Sequence, residues 1–204
     1  MVDLGAGTGK LTQLLCECFD RVWAVEPLPG MRDAIGRTAP AAEALAGSAE
    51  AIPLGDGAAD AVFAGQSFHW FATQRAVAEI ARVLTPGGTL ALLWNRPDPD
   101  HPSPLPADYR ARFVELRQEV QLPALDWQET IERGSFGRVS EATVANEQVS
   151  DRAEVLAFAA SQSWIACRPV AEREEVLAEL GALLPDGSYR FPLVTDVRWA
   201  VVAK

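Results

Sequence analysis

The sequence predicts an α/β fold in which helices cover both faces of a mostly parallel sheet. Apolar segments of strand length alternate with segments of helical periodicity throughout residues 1–95. The strand segments are almost continuously apolar, as expected for parallel strands that are buried on both faces. A glycine-rich turn, "GAGTG" at residues 5–9, connects the first strand to the first helix. With 204 residues the chain is long enough for a substantial core, and we expect one domain spanning residues 1–204.

The first half supplies strands and helices in alternation. The strands are predicted at residues 1–4, 21–26, 44–47, 59–66 and 89–94. The helices are predicted at residues 8–19, 30–38 and 73–84. In the first of these helices, apolar residues from Leu11 to Cys18 recur at the i, i+3, i+4 and i+7 positions of one face. Thr73 is expected to cap the third helix, and "TPGG" at residues 85–88 is expected to end it.

The second half is less regular. Residues 95–108 contain five prolines, which excludes a helix or a central strand and leaves a linker or a loop around a substrate. Further helices are predicted at residues 109–120, from Asp151 onwards, and at residues 172–184. Asp151 and Glu154 have the spacing of a capping box. Alternating apolar and polar residues in 193–204 predict a half-covered strand near the sheet edge. We therefore divide the domain into residues 1–95, an excursion at 96–187 and a final strand segment at 188–204.

Composition excludes several classes of partner. The net charge of −10 argues against nucleic acid and against docking on an anionic membrane, because both need clustered Lys and Arg. No apolar run reaches the roughly 18 residues of a membrane-spanning helix. Three cysteines in a chain without a signal peptide favour the cytoplasm, and only two histidines leave no metal site to be expected. The sequence carries no signal for an oligomeric state.

The glycine turn at residues 5–9 fits two familiar motifs poorly. A phosphate-binding P-loop requires GxxxxGK followed by Ser or Thr, but a leucine stands five residues before Gly9 and another follows Lys10. The dinucleotide fingerprint GxGxxG requires a glycine at the position of Lys10. The remaining pattern, GxGxG, lets a ligand approach the backbone closely. Glu26 ends the second strand 21 residues after the first glycine, where an acidic group can accept hydrogen bonds from both ribose hydroxyls.

Five motifs in residues 1–95 together resemble a known family. They are "VDLGAGTGKLT", "VEP", "GSAEAIPLGDGAADAV", "AGQSFHWF" and "IARVLTPGGTLALLW". Their order and spacing are similar to those of class I S-adenosylmethionine-dependent methyltransferases. "QSFHWF" and "LLWNRPD" resemble the small-molecule branch that includes trans-aconitate methyltransferase-like proteins. The resemblance implies a Rossmann-like, doubly wound, mostly parallel sheet of seven strands with the last strand antiparallel.

The resemblance also implies which residues hold the methionine end of the cofactor, S-adenosylmethionine. Asp3 and the backbone of Gly5 and Gly7 are expected to hold the methionine part itself. Gln66 and Ser67, at the tip of the fourth strand, are expected beside the sulfonium.

The nucleoside end of the cofactor is expected on the neighbouring strands. Glu26 would bind the ribose, and Pro27 with Leu28 would line one face of the adenine. The family often has an acidic residue against the adenine amino group where this chain has serine. That serine is Ser48, and we therefore expect adenine recognition in this segment from Glu50 or from the backbone of Ala49.

The acceptor is expected to be a small metabolite that is methylated on oxygen or nitrogen. His69 is the candidate catalytic base, and the alternative is that His69 and Trp70 form a wall of the pocket. Trp164 is expected either to cover the substrate or to act as a buried anchor. Arg96 and Arg168 would pair with a carboxylate of the substrate, and the alternative for each is a solvated surface position.

Two other functions fit the same pattern, namely an NAD(P)-dependent oxidoreductase and a non-catalytic cofactor-binding module. The glycine turn begins at residue 5, whereas methyltransferases of this type carry covering helices before it. We therefore expect a truncated or misplaced start, so that restoring upstream sequence would tighten cofactor binding.

Overall fold

The computed structural model describes residues 1–118 and 127–203. The strands are β1 (Val2–Leu4), β2 (Trp23–Val25), β3 (Glu43–Leu45), β4 (Ala59–Gly65), β5 (Leu84–Pro97), β6 (Ser140–Asp151) and β7 (Ser188–Val201). The α-helices are α1 (Lys10–Cys18), α2 (Pro29–Thr38), α3 (Gln74–Val83), α4 (Ala107–Gln118), α5 (Trp127–Glu132), α6 (Arg152–Ser161), α7 (Ser163–Ala166) and α8 (Val170–Ala182). A short 3₁₀ helix at Phe68–Trp70 follows β4.

The strands form one sheet in the order β3-β2-β1-β4-β5-β7-β6 across the described residues. β1 pairs in parallel with β2 and β4, so that Val2 lies opposite both Trp23 and Val62. β2 pairs in parallel with β3, and β4 with β5. The doubly wound, mostly parallel arrangement that the sequence predicts is therefore confirmed.

The last strand runs antiparallel to its neighbours, as the resemblance implies. The Val202 N–H donates to the Gly88 carbonyl at 2.9 Å, and the Asp98 N–H donates to the Pro192 carbonyl at 3.0 Å, so β5 and β7 run in opposite directions. An antiparallel bridge joins Phe136, just before β6, to Val202. β7 is half-buried along residues 191–199, as its alternating pattern predicts, but it lies one strand in from the edge, which β6 occupies.

Two strands differ from the sequence-based prediction. β6 was not predicted, because every residue in it except Ser150 is exposed and no apolar alternation marks it. β5 begins at Leu84 rather than at residue 89, so "TPGG" lies inside the strand instead of ending the helix in a turn. A register shift near Ala61 and the left-handed backbone of Gly87, at φ 82°, accommodate these residues.

The helix predictions agree with the structure within a few residues. Thr73 caps α3, since its hydroxyl oxygen accepts the Ala76 N–H at 3.1 Å. The capping box before α6 is present, with both the Asp151 and the Glu154 side chains accepting backbone N–H groups. The prediction for the fourth helix extends to Val120, which lies outside the described residues.

The chain forms two compact units. The described part of the first comprises residues 1–95, 127–144 and 195–203, and that of the second comprises residues 96–118 and 145–194. The largest core of the first unit lies between the sheet and α3 and includes Val62, Phe68 and Ile80. The second unit has its own core around Tyr109, Trp164 and other residues of α4, α6, α7 and α8. That both units act as one domain stays a prediction.

None of the helices described here combines the length and the apolar composition that crossing a membrane requires.

Candidate functional site

The glycine turn at residues 5–9 lies at the carboxyl end of β1, where the strand order reverses between β1 and β4. In open α/β sheets this reversal point is where ligands bind. Gly5, Gly7 and Gly9 have positive φ values of 68°, 58° and 88°, a backbone conformation that favours glycine. The Gly5 and Ala6 N–H groups both donate to the Val25 carbonyl, at 2.9 and 3.2 Å, and so tie the turn to β2.

Gly5 also lets β1 and β4 come together. A Cβ atom at this position would lie 2.9 Å from the Cβ of Ser67 and 3.2 Å from the ring of Phe71, closer than carbon atoms pack. A Cβ atom at Gly7 would meet no heavy atom within 4 Å. The two glycines therefore serve different purposes: Gly5 permits contact within the protein, and Gly7 leaves open space at the strand ends.

Glu26, at the end of β2, is buried, and its carboxylate accepts hydrogen bonds from two backbone segments. Its Oε2 accepts the Gly7 N–H at 2.9 Å, and its Oε1 accepts the Leu28 N–H at 3.0 Å. The Glu26 carbonyl accepts a hydrogen bond from Arg32 at 2.9 Å. The side chain is thus turned toward the glycine turn, and its orientation is fixed by two backbone donors.

Asp3 places a second carboxylate near Glu26. Its side chain is 1 % exposed, and Oδ2 accepts the Thr12 hydroxyl at 2.6 Å. The pKa of Asp3 is raised to about 6, chiefly by burial and to a smaller extent by the charge of Glu26, against the opposing effect of the Thr12 hydrogen bonds. Asp3 is therefore a buried carboxyl group in β1, just before the glycine turn, with a pKa of about 6.

The segment expected at the adenine forms a tight turn. The Ala51 N–H donates to the Ser48 carbonyl at 3.1 Å, and Ala49 is buried while Ser48 and Glu50 are half-buried. Ile52 follows, and its N–H donates to the Glu79 carboxylate of α3 at 3.0 Å.

Glu79 and its helix neighbour Arg82 are not marked as site residues by any sequence motif. Their i,i+3 spacing signals an ion pair, but no sequence pattern shows that both reach residues 52–56.

At the tip of β4, Gln66 adopts a left-handed backbone at φ 56° although it is not glycine. Its side-chain amide donates to the Asn95 carbonyl at 2.8 Å at the end of β5. The Ser67 hydroxyl is buried and donates to the Leu4 carbonyl at 2.9 Å. Both side chains thus bridge strand ends, and a cofactor contact from this tip is more readily made by backbone groups than by these polar side-chain atoms.

His69 and Trp70 lie on the 3₁₀ helix just beyond that tip, and both are exposed. Their rings are 5.1 Å apart between centroids and tilted by 39°. Trp70 is 65 % exposed, which is unusual for so large an apolar side chain. Partial desolvation lowers the pKa of His69 below its ordinary value, so its imidazole is neutral at neutral pH.

The remaining predicted site residues belong to the second unit. Trp164 is 6 % exposed and packs edge-on against Phe113 at 5.0 Å in the core of that unit, as expected for a buried anchor. Arg168 is half-buried, and its Nε donates to the Trp164 carbonyl at 3.2 Å. Arg96 is exposed at the end of β5. The structure thus brings the predicted cofactor residues and His69 together at one sheet edge in the first unit, and it holds these three residues in the second.

Comparisons with known proteins agree with this geometry. A family model described as a methyltransferase domain matches residues 2–92. An uncharacterized methyltransferase-like protein of Schizosaccharomyces pombe is 34 % identical over 184 residues, which are 88 % of this chain and 70 % of that protein. An uncharacterized methyltransferase of Mycobacterium tuberculosis is 51 % identical over 98 residues, but the match takes in only 48 % of this chain and 40 % of that protein.

A solved structure shares the fold. A protein assigned as a type II methyltransferase, from Anaeromyxobacter dehalogenans, superposes with a TM-score of 0.65 at 22 % identity, covering 99 % of this chain and 89 % of that one. The long match to the yeast protein, together with the glycine turn, the acidic end of β2 and the antiparallel last strand, establishes the family. The chain belongs to the class I S-adenosylmethionine-dependent methyltransferases.

Proposed function

We propose that this chain transfers a methyl group from S-adenosylmethionine to an oxygen or nitrogen atom of a small metabolite. The observation that carries the proposal is the fixed carboxylate of Glu26, buried at the reversal point of the sheet and bonded to Gly7 and Leu28. Family membership supports the donor, and the net charge of −10 disfavours nucleic acid as the acceptor.

Glu26 has the capacity that ribose recognition needs. A carboxylate offers about four lone-pair positions, and the two backbone donors use one on each oxygen. One acceptor position therefore remains on each oxygen, which matches the two neighbouring hydroxyls of a ribose. Because the backbone bonds already fix the carboxylate, little side-chain entropy is lost when a ligand binds.

Other residues of the first unit would take the rest of the cofactor. The open space at Gly7 would admit the methionine part, and Asp3 at the end of β1 would contribute to holding it. Pro27 and Leu28 are exposed directly after Glu26, and Leu28, at 54 % exposed, offers an apolar surface to one face of the adenine. Ser48, Ala49 and Glu50 would meet its edge, and the backbone of Gln66 and Ser67 would lie beside the sulfonium.

The donor supplies a methyl group activated by a sulfonium, which a nucleophile takes by in-line displacement. The chain's own contribution is chiefly alignment, which is worth several kcal/mol when reacting atoms are held about 3–3.5 Å apart. A carboxylate acceptor arrives ionised and needs an arginine partner such as Arg96 or Arg168 rather than a base. A phenol or an ammonium must lose a proton, and the neutral imidazole of His69 is suited to accept it.

Binding of the product S-adenosylhomocysteine, measured by calorimetry, tests the cofactor assignment. Glu26→Gln should weaken binding by about ten- to hundredfold, because a hydrogen bond to a charged group is lost. Glu43→Gln is the matched control, since Glu43 is an exposed acid on β3 of the same sheet, and it should leave the dissociation constant unchanged.

The cofactor assignment is wrong if the unsubstituted chain binds NADH more tightly than S-adenosylhomocysteine, or if Glu26→Gln binds as tightly as the unsubstituted chain. Circular dichroism of the unliganded variants checks that neither substitution has disturbed the fold.

A screen of carboxylate, phenol and amine pools by mass spectrometry tests turnover and the acceptor class. For a phenol or amine acceptor, His69→Asn should lower kcat by about 10²–10⁴-fold. The rate should rise with pH through a midpoint below the ordinary histidine value, since the neutral form is the base. An unchanged kcat in His69→Asn would mean that His69 is a wall of the pocket and not a base. If the unsubstituted chain binds the cofactor but forms no product in the screen, the non-catalytic module is favoured.

Within the family, the segments "QSFHWF" and "LLWNRPD" support a place in the branch that includes trans-aconitate methyltransferase-like proteins. That branch predicts a carboxylate acceptor, and the carboxylate pool of the screen is the arm that tests it.

A further inference from the structure

Arg82 of α3 makes a dense set of hydrogen bonds to one loop. Its Nε and one terminal nitrogen donate to the two carboxylate oxygens of Glu79, at 2.8 and 2.7 Å. The other terminal nitrogen donates to the Leu54 carbonyl at 2.9 Å and to the Asp56 carboxylate at 2.7 Å. A further hydrogen bond, of 3.2 Å, reaches the Ile52 carbonyl. The planar guanidinium is thus bonded to residues 52–56 and to one acidic neighbour.

Glu79 also binds the same loop. Its Oε1 accepts the Ile52 N–H at 3.0 Å, so the backbone donor and the backbone acceptor of Ile52 are both held by this ion pair. The Ile52 side chain is 3 % exposed in the core of the first unit. The hydrogen bonds from Arg82 lower the pKa of Glu79, which keeps its carboxylate ionised at neutral pH.

The segment fixed in this way continues directly from the turn at residues 48–51. That turn is closed by the Ala51 N–H on the Ser48 carbonyl at 3.1 Å. At its base, a Cβ atom on Gly47 would lie 2.5 Å from Pro53, so the two ends of the segment are packed against each other. A displacement of Ile52 would therefore be transmitted to the residues that are proposed to meet the adenine.

We propose that the Glu79–Arg82 pair is a positioning device that sets adenine selectivity by holding the 48–51 turn in place. The proposal rests on the function proposed above, since it takes residues 48–51 as the adenine-contacting turn. Neither residue of the pair is among those proposed to contact the cofactor, so both act through Ile52 and the turn. Lysine cannot replace Arg82, because a single ammonium lacks the planar fork that bonds a carboxylate and two carbonyls together.

A comparison of two ligands separates positioning from general stability. S-Adenosylhomocysteine and S-inosylhomocysteine differ at the exocyclic group of the base, an amine in one and an oxygen in the other. Calorimetry gives both dissociation constants. The constant of S-inosylhomocysteine divided by that of S-adenosylhomocysteine is the ratio that measures adenine selectivity. Arg82→Lys should lower that ratio about tenfold. Glu79→Gln keeps the shape of the side chain while it removes the charge, and it should lower the ratio by a smaller factor.

Arg112→Lys is the matched control. Arg112 also pairs through two nitrogens with one carboxylate, that of Glu179, and its side chain is 31 % exposed against 33 % for Arg82. It lies in the second unit, whereas the proposed cofactor residues belong to the first. Arg112→Lys should leave the ratio unchanged. It should lower the thermal midpoint less than Arg82→Lys does, because Arg112 pairs with carboxylates whereas Arg82 also bonds two backbone carbonyls.

Failures of the two proposals can be told apart. If the unsubstituted chain binds neither ligand, or binds both equally, the proposed function or its adenine contact is wrong. If the unsubstituted chain discriminates and both Arg82→Lys and Glu79→Gln keep its ratio, the positioning role is overturned. The positioning role is also overturned if Arg112→Lys lowers the ratio to the same extent.

Discussion

Ionisation of Asp3 in the folded protein is unfavourable, because its carboxyl group is buried and lies near the carboxylate of Glu26. Burial favours the neutral form, so the folded protein binds the Asp3 proton more tightly than the unfolded chain does. The stability that this proton contributes is fully present below the unfolded pKa of 3.8 and is lost as pH rises through the folded value of about 6.

We therefore predict that Asp3→Asn changes the pH dependence of stability. Between pH 5 and pH 8 the free energy of unfolding of the unsubstituted chain should fall by about 1.5 kcal/mol more than that of the variant. Asparagine keeps an oxygen that can accept the Thr12 hydroxyl. A difference in the free energy of unfolding that is the same at both pH values reports the substitution itself, and only the change with pH reports the ionisation of Asp3. Urea unfolding at both pH values measures the effect, and parallel stability curves would show that Asp3 is ionised in the folded protein at pH 5.

Gly5 and Gly7 differ at the residue scale although both have a left-handed backbone. Alanine at either position costs about 1–2 kcal/mol for that backbone conformation. At Gly5 the added Cβ also meets Ser67 at 2.9 Å, whereas at Gly7 it meets nothing within 4 Å.

We expect Gly5→Ala to destabilise the protein by about 1–3 kcal/mol more than Gly7→Ala, because overpacking adds to the strain. Thermal unfolding without ligand measures the difference. Gly7→Ala should instead act chiefly on S-adenosylhomocysteine affinity, because its Cβ enters the space proposed for the methionine part. Equal stability of the two variants would mean that β1 and β4 separate easily at this point.

The elements of the fold differ in how visible they are in the sequence. α3 was predicted within one residue at each end, because Val77 and Ile80 form a buried stripe and Thr73 caps the helix. β6 carried no signal, because an edge strand with both faces exposed needs no apolar alternation. Its place was fixed by pairing with β7, a contact between residues far apart in the chain.

The capping box before α6 gives a test at the element scale. Asp151→Ala should remove the hydrogen bond from the Glu154 N–H, which is 2.8 Å long, and destabilise the helix by about 1 kcal/mol. Glu174→Ala is the control, because Glu174 is an exposed acid inside α8, in the same unit. Amide hydrogen exchange across Arg152–Ser161 reports the effect, and equal exchange in both variants would contradict it.

At the scale of the whole molecule, the chain has a first unit built on the doubly wound strands β1–β4 and a second unit with its own core. The first unit carries every residue proposed to contact the cofactor, and the second carries Arg96, Trp164 and Arg168. The cofactor could therefore be predicted from residues 1–95, because the sheet sets the spacing of the motifs there. The methyl acceptor could not be predicted, because the side chains that would bind it have no characteristic spacing in the sequence.

The sequence by itself determined the parallel alternation, the position of the glycine turn and the acidic end of β2, since local periodicity and chain spacing encode them. Only the tertiary structure decided that Glu26 is fixed by two backbone donors, that the Ser67 hydroxyl bonds Leu4, and that Arg82 holds Ile52. Apart from the local bond between Glu26 and Leu28, these hydrogen bonds join residues 19 to 63 positions apart in the chain. Hydrogen-bond partners of this kind are chosen by packing, which no local pattern specifies.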